Sequence, residues 1–261
     1  MITVNAQTRQ DAILALLRTH DQVDAGELAE RFRVSIQTVR SDLRDLSETG
    51  LLHRTHGGAQ RVISASNRDY SERRKLNAKR KDKIGVLAAS LIPDNCSITL
   101  NIGTTTETVA RALSSHSDLV VLSNNINIIN TFMGARTREL ILVGGAIRQS
   151  DGAIVGEDAV EFIARFKVDF AIIGASALDV DGSVLDYDAR EVSVARAILR
   201  NARTRILVCD TTKFERTAPV RICDVSELDY VITDTVPPKA FADIARAAQT
   251  QILTTKDRDE T

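Results

Sequence analysis

The segment Ser35-Ile36-Gln37-Thr38-Val39-Arg40-Ser41-Asp42-Leu43 carries side chains suited to contact with a nucleic acid. Ser35 can accept a hydrogen bond from a first-turn amide and so start a helix, while Val39, Leu43 and Leu46 recur at helical spacing and form one apolar stripe. The opposite face holds Gln37, Thr38, Arg40, Ser41 and Arg44, which can meet base edges or phosphate oxygens in a duplex groove. An amphipathic surface helix would show the same pattern, so the spacing alone leaves both readings open. The adjoining segment favours the groove: Leu51-Leu52-His53-Arg54-Thr55-His56-Gly57-Gly58-Ala59 pairs an extended run with a Gly-Gly turn, as in a two-stranded wing. Its basic tip, Arg54 and His56, can touch the phosphate backbone.

A second group of chemically capable residues lies at the ends of apolar runs further along. Gly103-Thr104-Thr105-Thr106 follows such a run and opens a helical pattern; glycine permits close approach, hydroxyls donate, and helix-start amides favour a phosphate. A Thr-capped helix without a ligand explains the same four residues. Glu107 would compete with an anion and is expected to turn away. Further strand ends carry Ser123-Asn124-Asn125, Gly144-Gly145, Gly174-Ala175-Ser176 and Asp210-Thr211-Thr212-Lys213-Phe214. Asn124 or Asn125 could bind hydroxyls and Lys213 could neutralise a phosphate, although each also has an ordinary structural use as a cap, tight turn or surface charge. Together they suit a polyhydroxylated, anionic small molecule.

The elements that must position these groups can be read in outline. Asp24-Ala25-Gly26-Glu27 has capping-box spacing and opens a short helix through Phe32, with Arg33-Val34 as a turn. Residues 7–18 form a first helix whose packing stripe is Ile13, Leu14, Leu16 and Leu17, and Gly50 stands where the groove-facing helix needs a left-handed end. From residue 84 onward, strand-like runs at 97–102, 119–122, 140–143, 170–173, 205–209 and 230–233 alternate with helical patterns. That alternation predicts a parallel sheet covered by helices on both faces, with ligands at the carboxyl ends of the strands.

The chain has 261 residues, 43% of them apolar, enough for a small DNA-reading module and a full α/β domain. Its formal net charge of -1 gives no overall attraction to nucleic acid, so any electrostatic footprint is local. Between residues 61 and 83, Arg61, Arg68, Arg73, Arg74, Lys75, Lys79, Arg80, Lys81 and Lys83 outnumber Asp69, Glu72 and Asp82; a solvated linker and a DNA contact both fit. The expected division is a winged helix-turn-helix over 1–60, a basic linker over 61–83 and a sensor and oligomerisation domain over 84–255. Cys96, Cys209 and Cys223 lack metal-ligand spacing and read as reduced, mostly buried thiols; His20, His53, His56 and His116 form no cluster. No metal or cofactor is expected. No window approaches the roughly 20 apolar residues of a membrane span, and no secretion signal opens the chain, so the protein is expected in the cytoplasm with no membrane partner.

These motifs resemble those of the DeoR-type family of bacterial transcription regulators, whose pattern Ser-x-x-Thr-Val-Arg-x-Asp-Leu is matched from Ser35 and whose Arg-x-His-Gly-Gly-Ala is matched from Arg54. Ser41 departs from it, since the family usually has a second Arg there. The resemblance continues through Ile102-Gly103-Thr104-Thr105, Ser123 to Asn127, Gly144-Gly145, Asp151-Gly152, Gly156-Glu157, Asp181-Gly182-Ser183 and Lys213-Phe214, and covers nearly the full chain. It implies an N-terminal winged helix-turn-helix joined to a Rossmann-like sensor with the fold of ribose-5-phosphate isomerase and coenzyme A transferases. It implies a repressor of carbohydrate or polyol catabolism genes that binds double-stranded operator DNA as a dimer or tetramer. A phosphorylated effector, glycerol 3-phosphate by the same resemblance, is implied to release it. Two rivals remain. Isomerases of that fold use carboxylates and a lysine, for which Asp179, Asp181, Glu191 and Lys213 are candidates, but such an enzyme has no use for Ser35 to Ala59. An architectural DNA-binding protein, with an assembly domain only, leaves the strand-end loops unused.

Overall fold

The computed structural model describes residues 5–19, 22–48, 52–55, 57–61 and 70–255. The chain divides into two compact units, Met1–Ala65 and Ser66–Thr261.

In the first unit, α1 (Ala6–Thr19), α2 (Ala25–Phe32) and α3 (Ile36–Glu48) surround a core of Ile13, Leu17, Leu28, Val39, Leu43, Leu46 and Leu52, with Leu14 and Leu16 packed at its margin. Asp24 caps α2 by accepting from the amides of Gly26 and Glu27, and Arg33 ends it in the left-handed region at φ 53°. That tight reversal turns the chain directly into α3, whose start is held by the Thr38 amide donating to Ser35 Oγ at 3.0 Å. The wing gains a strand that periodicity did not predict: β1 (Gln22–Asp24) pairs with β3 (Gly58–Arg61), which pairs with β2 (Leu52–Arg54). Gly58 is required by this closure, because a Cβ there would lie 2.0 Å from the Val23 carbonyl oxygen. Helix α3 is tied to α1 by a buried bidentate pair, with Arg9 Nε 2.5 Å and Arg9 Nη2 3.0 Å from the two Asp42 oxygens. His56 and Gly50 lie outside the described residues.

The second unit is a seven-stranded parallel sheet. Its strands are β4 (Ser97–Leu100), β5 (Val120–Ser123), β6 (Glu139–Leu142), β9 (Val168–Ile173), β12 (Ala202–Val208), β14 (Tyr230–Thr233) and β15 (Gln251–Thr254), ordered β15-β14-β12-β9-β4-β5-β6. Because strand side chains alternate between faces, Ile172, Ile206, Val208 and Ile232 join one core while Ala171, Ile173, Leu207 and Val231 join another. The first core is covered by α5 (Ala78–Ala89), α6 (Thr104–Leu113) and α7 (Ile126–Phe132), the second by α8 (Glu157–Ile163), α9 (Ala189–Arg200) and α10 (Lys239–Ala247). Both faces are therefore dry, as the runs of apolar residues required. Two small antiparallel additions were not expected: the ribbon β7 (Ile147–Arg148) with β8 (Ala153–Ile154), and the sheet β10 (Ala177–Leu178), β11 (Ser183–Asp186) and β13 (Val220–Asp224).

The basic stretch read as a linker differs from expectation from residue 70 onward. Tyr70–Lys75 is a helix, α4, and residues 78–83 are the first turns of α5, whose inner side buries Lys81, Ile84, Gly85, Leu87, Ala88 and Ala89. Arg73, Arg74 and Arg80 reach the acidic partners Asp151, Glu107 and Asp234, and Lys81 is buried against the Arg73 carbonyl and the Thr104 hydroxyl, which a count of charges alone does not reveal. Gly85 brings α5 against α6, since a Cβ there would lie 2.7 Å from the backbone of Thr108. The Thr108 hydroxyl also donates to the Lys81 carbonyl at 2.8 Å.

Candidate functional site

Each unit presents one candidate. On α3, Ser35, Gln37, Arg40 and Arg44 are exposed, and Thr38 and Ser41 are half-buried. Thr38 Oγ1 lies 2.9 Å from Ser35 Oγ, and Arg44 Nη2 donates to Ser41 Oγ at 3.2 Å. The hydroxyls thus order the helix start and the Arg44 side chain, while Gln37 and Arg40 stand outward beside them. Arg54, on β2, is also exposed.

In the second unit a cavity of about 50 Å³ opens at the carboxyl ends of β4, β9 and β12. It exceeds the ~10–15 Å³ that one water needs. Gly103, at φ 142°, lets the chain leave β4 and turn at once into α6, so that this ten-residue helix starts beside the cavity with no side chain capping its first amides. Gly103, Thr104 and Thr105 line the cavity together with Asn101 and Ile102. Lys81 reaches in from α5, donating to Thr104 Oγ1 at 2.9 Å and to the Arg73 carbonyl at 2.5 Å. Lys213 and Arg216 line it from the turn after β12, and Tyr70 and Arg73 from α4. Burial of two ammonium groups near other cations lowers the pKa of Lys81 and of Lys213 to about 8 each.

Acidic groups close the remaining wall. Asp151, Asp186, Glu191 and Asp210 all line the cavity. Arg148 grips Asp151 through two bonds of 2.8 and 2.7 Å and reaches Glu191 at 2.6 Å, joining the β7 ribbon to α9. Burial raises the pKa of Asp186, and burial together with Asp186 raises that of Glu191. Burial works against ionising Asp210 as well, but Lys213, the Thr212 hydroxyl and Lys81 overcome it and hold Asp210 below its ordinary value. Glu107 turns away from the cavity as expected: it accepts from Tyr70 Oη at 2.5 Å and lies 3.7 Å from Arg74 Nε.

Residues 9–65 match the family model of the DeoR-like helix-turn-helix domain, and residues 76–235 match that of the DeoR C terminal sensor domain. The chain belongs to the DeoR family. It is 41% identical over 230 residues to the glycerol-3-phosphate regulon repressor of Escherichia coli, spanning 88% of this chain and 91% of that one. It is 34% identical to the E. coli repressor CsqR (94% of each chain) and 30% identical to the Bacillus subtilis repressor GlcR (97% of this chain, 98% of that one). Among solved structures, ribose 5-phosphate isomerase A of Methanocaldococcus jannaschii aligns with 52% of this chain and 54% of its own at TM-score 0.38 and 16% identity. This DeoR-family chain is a transcriptional repressor, not an enzyme, with a DNA-binding unit followed by a unit that senses a small molecule. No helix of the described residues is long and apolar enough to cross a membrane.

Of the sensor residues singled out from sequence, the structure gathers Gly103, Thr104, Thr105, Asn125, Gly174, Ala175, Ser176, Asp210 and Lys213 around the cavity, whereas Thr106, Ser123, Asn124, Gly144 and Gly145 do not line it. Thr106 donates to the Gly103 carbonyl at 2.7 Å and closes the first turn of α6. Ser123 donates to the Leu100 carbonyl, and Asn124 to the Ile154 carbonyl; both are fully buried in the fabric of the sheet. Asn125, though at the cavity, already caps α7 with its oxygen and donates to Asp151 O with its nitrogen. Gly144 and Gly145 follow the edge strand β6, away from the cavity, and Gly145 lets the chain pass Ile154. The reason is strand order: the cavity gathers ends of the central strands, and order cannot be read from spacing. Tyr70, Arg73 and Lys81 were hidden within the supposed linker, and Asn101 and Arg216 had no motif to mark them.

Proposed function

We propose that this repressor is released from its operator when a phosphorylated polyol or sugar occupies the sensor cavity, and that glycerol 3-phosphate is the ligand. One observation carries the reading: Lys81, Lys213, Arg73 and Arg216 line a single cavity with the uncapped start of α6, an arrangement suited to a dianionic phosphate. The name of the E. coli relative supplies the candidate metabolite. In this reading Gly103, Thr104 and Thr105 seat the phosphate, Lys81 and Lys213 neutralise it, and Gln37, Thr38, Arg40, Ser41, Arg44 and Arg54 contact the operator.

Release requires that the ligand favour a state that fits the operator poorly. Helix α4 is suited to carry that preference. It is the first described element after residues 62–69, and it supplies Tyr70 and Arg73 to the cavity. Lys81, one of the cations offered to a phosphate, also holds α4 through the Arg73 carbonyl, and Arg73 lies 3.8 Å from Asp151. A ligand that draws on Lys81 or Arg73 therefore changes what holds α4. Two paired helix-turn-helix units, held by a dimeric or tetrameric assembly, would read successive major grooves, and the protein would act in the cytoplasm with its operator.

The test is operator release in a gel shift with glycerol 3-phosphate, ribose 5-phosphate and fructose phosphates, beside calorimetric titration of each. Binding and release by at least one, with glycerol 3-phosphate the strongest, is expected. The absence of both heat and release with every one of them refutes the reading.

A further inference from the structure

Five buried side-chain polar atoms among the described residues have no hydrogen-bond partner: Arg73 Nε, Asn101 Oδ1, His116 Nδ1, Asn124 Oδ1 and Ser183 Oγ. Such atoms are uncommon because a buried group that gave up water recovers nothing in exchange. Two of the five, on Arg73 and Asn101, belong to residues that line the sensor cavity. Asn101 is the sharper case. It is only 5% exposed, and its amide donates to the Ile172 carbonyl at 2.9 Å, so its backbone continues the ladder between β4 and β9. The backbone of the residue is therefore fixed, two positions before Gly103, with a buried carboxamide oxygen that has no hydrogen-bond partner.

We propose that Asn101 recognises a hydroxyl of the ligand and sets the sensor's preference for phosphorylated polyols over phosphoesters without hydroxyls. A hydroxyl suits the site in a way that neither a methyl group nor a bare phosphate does. It donates to Asn101 Oδ1, and its own lone pairs can accept from a donor such as the unmatched Arg73 Nε. It would also satisfy the carboxamide if the nitrogen, not the oxygen, faced the ligand. The cations and the α6 amides attract any phosphoester alike, so they cannot supply this discrimination. A site built to bond a hydroxyl rejects the analogue lacking it, because the buried group stays unmatched in that complex.

The inference rests on the cavity's being a phosphoester site, as proposed above, and the experiment separates the two. The full-length wild type and Asn101→Leu are titrated calorimetrically with glycerol 3-phosphate and with propyl phosphate, which keeps the carbon count and the phosphate but has no hydroxyl. The wild type is expected to bind glycerol 3-phosphate roughly tenfold or more tightly than propyl phosphate. Asn101→Leu should lose roughly tenfold for glycerol 3-phosphate and change by less than about twofold for propyl phosphate. Asn101→Ala, which only removes atoms, gives the same comparison should the leucine variant misfold by circular dichroism. Equal binding of both ligands by the wild type refutes the role of Asn101 and leaves the phosphate seat standing. Equal losses for both ligands, or no loss, in a folded variant overturn the hydroxyl contact as well. Binding of neither ligand by the wild type overturns the phosphoester reading and this inference together.

Discussion

Replacing Arg9 by methionine should destabilise the DNA-binding unit and, through it, abolish operator binding. Arg9 on α1 and Asp42 on α3 form a two-pronged pair with side chains only 8% and 4% exposed. Methionine keeps most of the volume but leaves the Asp42 carboxylate buried beside no cation, a loss worth about 3–5 kcal/mol. A unit of about 60 residues has total stability of roughly 3–9 kcal/mol, so that loss is a large share of it. At about 4–8 °C per kcal/mol for a domain of this size, its melting transition should fall by on the order of 12 °C or more. The assay is calorimetric melting of the full chain beside a gel shift on operator DNA. The double variant Arg9→Met/Asp42→Leu should recover most of the stability, because an apolar pair of similar volume avoids the buried charge. A single variant that melts within about 2 °C of the wild type, well short of the expected fall, and still binds operator would show that the pair does not hold α3 in place.

Four further outcomes are expected. Arg40→Ala, on the exposed face of α3, should weaken operator binding by more than about 1 kcal/mol and leave effector affinity intact; an unchanged gel shift would contradict the groove assignment. Thr105→Glu sets a carboxylate in the proposed phosphate seat and should yield a repressor that a reporter strain cannot induce, so full induction would remove the loop from the site. Lys81 and Lys213 each titrate at about 8, so both are charged below that pH and neutral above it. Effector affinity should therefore fall as pH rises from 7 to 9, and a flat calorimetric profile would argue that neither ammonium meets the ligand. Operator affinity should fall steeply with salt, and a shallow slope would speak against phosphate contacts by Arg40, Arg44 and Arg54.

Much of this architecture was legible because local rules and tertiary demands agreed. Ser35 caps α3, and Val39, Leu43 and Leu46 bury where helical spacing placed them. The apolar runs read at 97–102, 119–122, 140–143, 170–173, 205–209 and 230–233 each fall on a strand, with ends shifted by up to three residues, because a sheet covered on both faces needs no polar alternation. The last strand, β15, and the three-residue β1 escaped notice because each is short and takes its stability from a partner distant in sequence. The cavity was half legible. The loop at 103–105 announces itself by glycine and hydroxyl content, but whether Ser123, Asn124 and Gly145 face a ligand or brace the sheet depends on neighbours such as Leu100 and Ile154. Arg73 and Lys81 looked like solvated charge, since nothing in a run of basic residues says which of them a helix will turn inward.

The crossing at Gly85 divides the sensor into a part that is set and a part that can drift. With no space for even a methyl group between residue 85 and the Thr108 backbone, and with Thr108 bonded to Lys81, the ammonium and the threonine loop behave as one prefabricated socket. Evolution of a different diet would have to work on the rest of the lining, at the side chains of Asn101, Ala175, Ser176, Asp186 and α4, while the socket stayed as it was. Tolerance to substitution should accordingly be lowest at a glycine that never touches the metabolite.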